Sequence, residues 1–227
     1  MGLFGTKSTP NTSIAMKAPT DLTVALSQGA QLVIKQKREL AEIFLGFETT
    51  NKYMLFDSDG APCGNIIERG SGFMSFLKRV FLKSRRPFVI DVNDAQGKAI
   101  LELSRPFFWF FSDITVKVPT GAVLGSAHRK FAILSKIYEL RDANGRPFSK
   151  INSSLFKVWT FAIRDTQDNE LARISKKWSG ALKEMFTDSD NFMIEFGTHQ
   201  WSAAQRAVIL ASAISVDFDF FENNNKQ

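Results

Sequence analysis

Trp201–Phe221 reads WSAAQRAVILASAISVDFDFF, and inside it Ala207–Val216 is an uncharged run of Ala, Val, Ile, Leu and Ser. Crossing a bilayer takes about 20 predominantly apolar residues. Here Arg206 stands on one flank and Asp217 and Asp219 on the other, at depths where a charge is costly in lipid. Ala207, Ala211, Ser212, Ala213 and Ser215 are small and would let surrounding strands approach closely. The run therefore reads as a helix buried in a protein core, with a membrane span as the alternative.

What precedes it is strand-like. From Leu32 onward, turns of one type recur: Asp57–Gly60, Asp94–Gly97, Pro119–Gly121, Asp142–Gly145 and Asp165–Asn169. Asp opens such a turn by accepting bonds from its own backbone, and Gly or Asn accepts the positive φ that closes it. Between the turns lie β-rich runs at Tyr53–Phe56, Phe88–Val92, Ala99–Leu103, Ile114–Val118, Lys136–Leu140 and Trp159–Arg164. Hairpins at this spacing predict an antiparallel meander, closed as a barrel or folded as a sandwich. Residues 1–25, rich in Ser, Thr, Pro and Lys, read as a loose arm, and 26–224 as the folded domain.

Composition narrows the partners. The chain has 227 residues, enough for one substantial core, and 22 Phe against two Tyr, so its aromatic area is mostly non-polar. A formal charge of +6 favours anionic partners. The excess is concentrated in Phe73–Phe88, where Lys78, Arg79, Lys83, Arg85 and Arg86 stand without an acid. Cys63 is the single cysteine, which excludes an intrachain disulfide and a Cys-based zinc site. The N-terminus has no apolar signal core, so secretion by that route is not expected. Met1-Gly2 with Thr6 and Lys7 fits the N-myristoylation pattern, with a chance match as the alternative.

Motifs for catalysis are weak. His128 and His199 are the only histidines, and neither has a nucleophile or metal-ligand partner at motif spacing. Phosphate-binding glycine loops are absent, so a conventional enzyme is the weaker class. Asp188, Asp190, Asn191 and Glu195 begin like a calcium loop, but Met193 replaces the central glycine and His199 the closing Glu. Weak Ca²⁺ binding is one reading; a turn before a strand Phe192–Phe196 is the other.

Two segments suit a membrane surface. Phe73, Phe76, Leu77 and Phe81 recur at helical spacing with Lys78, Arg79 and Lys83 on the other side, the pattern of a helix lying among lipid head groups. A helix packed on the domain with its bases solvated fits equally. Phe107, Phe108, Trp109, Phe110 and Phe111 run consecutively behind Arg105-Pro106. They need a cover, either a bilayer interface or another subunit.

Several longer stretches then resemble the phospholipid scramblase family. GFETTNKY at 46–53 is similar to the family's GFETNNKY, and ISKKWSG at 174–180 with FTDSDNF at 186–192 is similar to its ISKxWxG and FTDADNF. SRRPF at 84–88, LSRP at 103–106 and VDFDFFE at 216–222 continue the likeness, which covers about residues 32–222. The resemblance implies a Tubby-like closed barrel of about twelve strands around a hydrophobic C-terminal helix. It implies Ca²⁺-activated, ATP-independent, bidirectional movement of phospholipids between leaflets, at a membrane such as the plasma membrane or its cytoplasmic face. It also makes Asp188, Asp190, Asn191 and Glu195 the expected calcium ligands, and an anionic phospholipid membrane the expected partner.

Animal members carry clustered, palmitoylated cysteines in the regions matching 72–86 and 107–112, and this chain has none there. Aromatic and basic side chains are expected to anchor it instead. A peripheral lipid- or phosphoinositide-binding module without transport is the competing function. Nucleic acid is the least supported partner, since the basic cluster is interleaved with Phe and carries no recognised motif. A lone apolar helix has no polar groove for a head group, so transport would require a homo-oligomer or local bilayer thinning.

Overall fold

The computed structural model describes residues 17–36, 51–69, 87–109, 111–130, 135–154, 160–176 and 191–220. Twelve strands form a closed antiparallel barrel: β1 (Gln31–Gln36), β2 (Asn51–Phe56), β3 (Pro62–Glu68), β4 (Phe88–Asp94), β5 (Ala99–Arg105), β6 (Asp113–Lys117), β7 (Val123–Lys130), β8 (Ser135–Asp142), β9 (Pro147–Ser154), β10 (Thr160–Arg164), β11 (Glu170–Ser175) and β12 (Asn191–Glu195). Consecutive strands are neighbours throughout, and β1 closes the ring on β12 with Ile34 opposite Phe192 and Leu32 opposite Ile194. Of the two architectures the hairpin spacing allowed, the barrel, which the family resemblance also implied, is the one formed.

An up-and-down barrel sorts its connections by end. The five short turns β2–β3, β4–β5, β6–β7, β8–β9 and β10–β11 lie at one end, the turn end. The other connections between strands lie at the opposite end, the mouth. Four of the short turns share one device. Asp57 Oδ1 accepts from the backbone N–H of Asp59 and Ala61, and Asp94 Oδ1 from Gln96 and Lys98. Asp142 Oδ1 accepts from Asn144 and Arg146, and Asp165 Oδ1 from Gln167 and Asn169. The fourth residue takes a left-handed backbone, at φ 84° in Gly97 and φ 69° in Asp168, where no glycine relieves the strain.

The helix α2 (Ala203–Phe220) threads this barrel. It enters at the turn end through a reciprocal cap, Gln205 N–H to Ser202 Oγ and Ser202 N–H to Gln205 Oε1. Trp201, just before it, is buried and donates its indole N–H to the Phe196 carbonyl at 2.8 Å. Ala207–Val216 is buried along its whole length, so the core reading of this segment holds. No helix among the described residues is long and apolar enough to cross a membrane. The small side chains allow contact with the wall: a Cβ at Gly125 of β7 would lie 2.7 Å from Val208 and 2.3 Å from the Arg141 carbonyl. Ser212 satisfies its hydroxyl within the helix, on the Ile209 carbonyl at 2.7 Å.

The boundary of the loose arm needs correction. Leu22–Gln28 forms a short helix, α1, capped by Asp21, whose side chain accepts from Thr23 N–H at 2.7 Å. Leu22 and Leu26 are buried in the core cluster, so α1 closes the turn end as part of the folded unit. Arg206 joins the two helices by donating to the Gly29 carbonyl, its guanidinium 4.3 Å from the Phe196 ring. Burial lowers the affinity of that guanidinium for its proton.

Candidate membrane-contact mouth and metal-binding loop

The β5–β6 connection carries the aromatic run to the mouth. Phe107 is 37 % exposed, Trp109 68 % and Phe111 48 %, with the Phe107 and Trp109 rings edge to face at 5.1 Å. Phe108 turns back instead. Its ring lies 5.1 Å from the guanidinium carbon of Arg105, which is 4.3 Å from the Phe88 ring and 5.7 Å from that of Phe218. Phe88 and Phe218 themselves stack at 4.8 Å. Arg105 is fully buried, and its Nη1 reaches the buried Ser112 hydroxyl at 3.4 Å. Arg105 thus pins both roots of the loop, leaving three aromatic side chains turned to solvent. Phe110 lies outside the described residues, as do Phe73, Phe76, Leu77, Lys78, Arg79, Phe81, Lys83, Arg85 and Arg86.

The wall of the barrel is of another kind. Arg69 pairs with Asp91 at 2.6 Å and Glu102 at 2.8 Å, Arg141 with Glu139, Lys150 with Asp168 at 3.0 Å, and Arg173 with Glu170 at 2.6 Å. Apolar side chains fill the interior instead. A barrel that crosses a membrane presents an apolar band outward; this one inverts that arrangement. The crevice between α2 and β10–β12, lined by Phe161, Ile174, Phe192, Ala213 and Val216, holds about 10 Å³. The axis offers no room for a lipid.

Register assembles one constellation that motif spacing missed. Asp113 and His128 face each other across β6 and β7, with Asp113 Oδ1 2.9 Å from Nδ1; Nε2 lies 2.9 Å from Ser126 Oγ. Ser126, two residues before His128 on the same strand face, was legible as a partner; Asp113, fifteen positions away, was not. The chain of three resembles a hydrolytic triad in its bonding alone. Ser126 is flanked by Thr115 and Arg141 in a continuous ladder, so its neighbouring amides are committed and no pair of free N–H groups faces the hydroxyl to hold an oxyanion.

The metal-loop expectation divides. Asp188 and Asp190 lie outside the described residues. Asn191 begins β12 at the mouth, paired with Lys35, and is buried with neither Nδ2 nor Oδ1 hydrogen-bonded. Glu195 ends the same strand opposite Gln31. Four extended steps separate the two by about 13 Å, whereas ligands of one calcium each stand about 2.4 Å from it. Glu195 therefore cannot share a coordination sphere with Asn191, and His199 lies beyond it on the turn-end connection. Within the stretch read as a loop from spacing, Asn191–Glu195 is a strand running from the mouth towards the turn end. Among the described residues no group of three or more His, Cys, Asp or Glu side chains could hold a metal ion.

A family pattern described as Scramblase matches residues 8–223. The chain belongs to the scramblase family. It is 28% identical to a phospholipid scramblase family protein of Schizosaccharomyces pombe, over 84% of this chain and 59% of that relative. It is 26% identical to altered inheritance rate of mitochondria protein 25 of Saccharomyces cerevisiae, over 97% and 79% of the two chains. Phospholipid scramblase 1 of Homo sapiens is 28% identical, over 89% and 66%. This scramblase-family chain spans less than two thirds of the fission yeast relative's length. No solved structure matches it.

Proposed function

We propose that the protein acts at an anionic phospholipid membrane and moves phospholipids between leaflets, without ATP and under Ca²⁺ control. The observation that supports this most directly is the exposed Phe107, Trp109 and Phe111 on a rigid root at the mouth. Phe and Trp partition into the bilayer interface, and fully burying such a side chain contributes about 1.5–3 kcal/mol. The five bases between Phe73 and Phe88 would each add about 1 kcal/mol near an anionic surface. Aromatic insertion and charge here take the anchoring role that lipidated cysteines have in animal members.

Because α2 fills the barrel, lipids would move beside the protein. Loops wedged into one leaflet, multiplied by several copies, would thin the bilayer and lower the barrier for head groups. Ca²⁺ would supply positive charge at the mouth, bridging acidic protein groups and lipid phosphates. The orphaned Asn191 carboxamide offers a hard oxygen of the type Ca²⁺ takes, and Asp188 and Asp190 precede it in sequence. The second reading, a peripheral lipid-binding module, is favoured by the absence of any spanning helix among the described residues.

Reconstitution separates the two. Purified protein in liposomes carrying a reporter lipid should exchange the reporter between leaflets faster when Ca²⁺ is added. Binding without exchange supports the module. Flotation tests the anchor: a chain with Phe76, Phe81 and Trp109 changed to Ser should leave anionic vesicles, and its undiminished binding would sink the anchoring idea.

A further inference from the structure

We propose that the protein docks end-on, the mouth of the barrel against an anionic bilayer and the turn end directed into water. The inference rests on the membrane reading above and adds the orientation. Three independent observations point the same way.

Among the described residues the exposed aromatic side chains are confined to one end. Phe107, Trp109 and Phe111 all sit on a mouth connection, while the large apolar side chains exposed at the turn end are the isolated Val24 and Val123. Charge is biased along the same axis. The short turns hold Asp57, Asp59, Asp94, Asp142, Asp165 and Asp168 against Lys98 and Arg146, with Lys117 and Arg164 at the adjoining strand ends, so this end offers an anionic surface no net attraction. Lys35, Arg129 and Lys176 stand at strand ends on the mouth with the ion-paired Arg69 and Lys130, against the acids Glu68 and Asp113.

The wall supplies the third argument. Its ion pairs on β3–β5, β7–β8 and β9–β11 would have to be desolvated if the barrel lay on its side or sank into the bilayer. End-on docking leaves them in water. Only the loop tips enter, to a depth of about 5–10 Å. The eighteen residues of α2 span about 27 Å, so the turn end stands clear of the surface by most of that height.

Cys63 makes the test simple. It is buried, and burial, with Asp57 nearby, pushes its thiol pKa up to about 12, so a cysteine introduced on the surface is labelled selectively. Environment-sensitive dyes would be placed in the full chain at Pro106→Cys on the mouth, and at Gln96→Cys and Asn144→Cys on the turn end. The vesicles are phosphatidylserine in phosphatidylcholine with a bilayer-borne spin quencher; pure phosphatidylcholine is the charge control.

On anionic vesicles the dye at 106 should shift to the blue and lose most of its intensity. The dyes at 96 and 144 should keep theirs and stay open to aqueous iodide. Quenching at 96 or 144, or equal quenching at all three, with the chains still floating, overturns the orientation and leaves membrane contact standing. If no labelled chain floats with anionic vesicles, contact itself is overturned and the orientation with it.

Discussion

The two ends of this barrel are made from the same twelve strands and differ in almost everything else. The turn end is built from repeated Asp turns whose backbone groups bond one another, and it is closed by α1 and Trp201. The mouth carries exposed aromatic rings and a buried arginine. One end is organised to hold the fold and the other to meet something. Stability and membrane activity should accordingly respond to different substitutions.

The largest separation is expected from Trp201→Ala. Losing a buried ring and its hydrogen bond at the turn end should cost about 3–5 kcal/mol in urea unfolding, while the folded fraction binds vesicles normally. Gly125→Val should come next, at about 3 kcal/mol, because its side chain has to displace Val208 or the Arg141 carbonyl. Changing Phe107, Trp109 and Phe111 together to Ser should do the reverse. Vesicle affinity should fall at least tenfold, with unfolding free energy altered by no more than about 0.5 kcal/mol; a large loss of stability would mean that the loop belongs to the core.

Smaller effects test the turns themselves. Asp168→Gly removes a left-handed backbone strain and should stabilise by about 0.5 kcal/mol, net of the Lys150 contact it gives up. Asp165 is held below the ordinary carboxylate range, first by the Asn169 side chain and then by backbone N–H groups. A carboxylate depressed in the folded state contributes stability that is present above its unfolded pKa of about 3.9. That contribution is lost as pH falls through the folded value. Acid unfolding of Asn169→Ala should therefore show a shallower loss below about pH 4.

How much of this was legible in sequence follows from the range of the interactions. The turns are local, four of them with an Asp accepting from residues two and four ahead, and all five were readable. The fate of Ala207–Val216 was readable too, because Arg206 and the aspartates bounded its apolar length. α1 was missed: seven residues with β-branched Thr23 and Val24 carry little intrinsic helix signal, and only Asp21 with Leu22, Ala25 and Leu26 betrays it. Glu195 was assigned to a metal loop because spacing along a chain does not reveal whether the chain curls or runs straight. Asp113–His128 is a matter of register across a hairpin, which no pattern within either strand encodes. The aromatic run at 107–111 was visible as an exposed liability, but the inward turn of Phe108 onto Arg105 depends on Phe88 across the β4–β5 pair and on Phe218 from the C-terminal helix.

Closure of the ring has a consequence for how copies could meet. With β1 bonded to both β2 and β12, the sheet has no terminal strand with unpaired backbone groups. Recruitment of a partner by adding a strand is therefore closed to it, and so is edge-to-edge fibre growth. Neighbouring copies would have to recognise one another through loops at the mouth or through the charged flanks. With each mouth docked on a bilayer as proposed, assembly would be restricted to two dimensions.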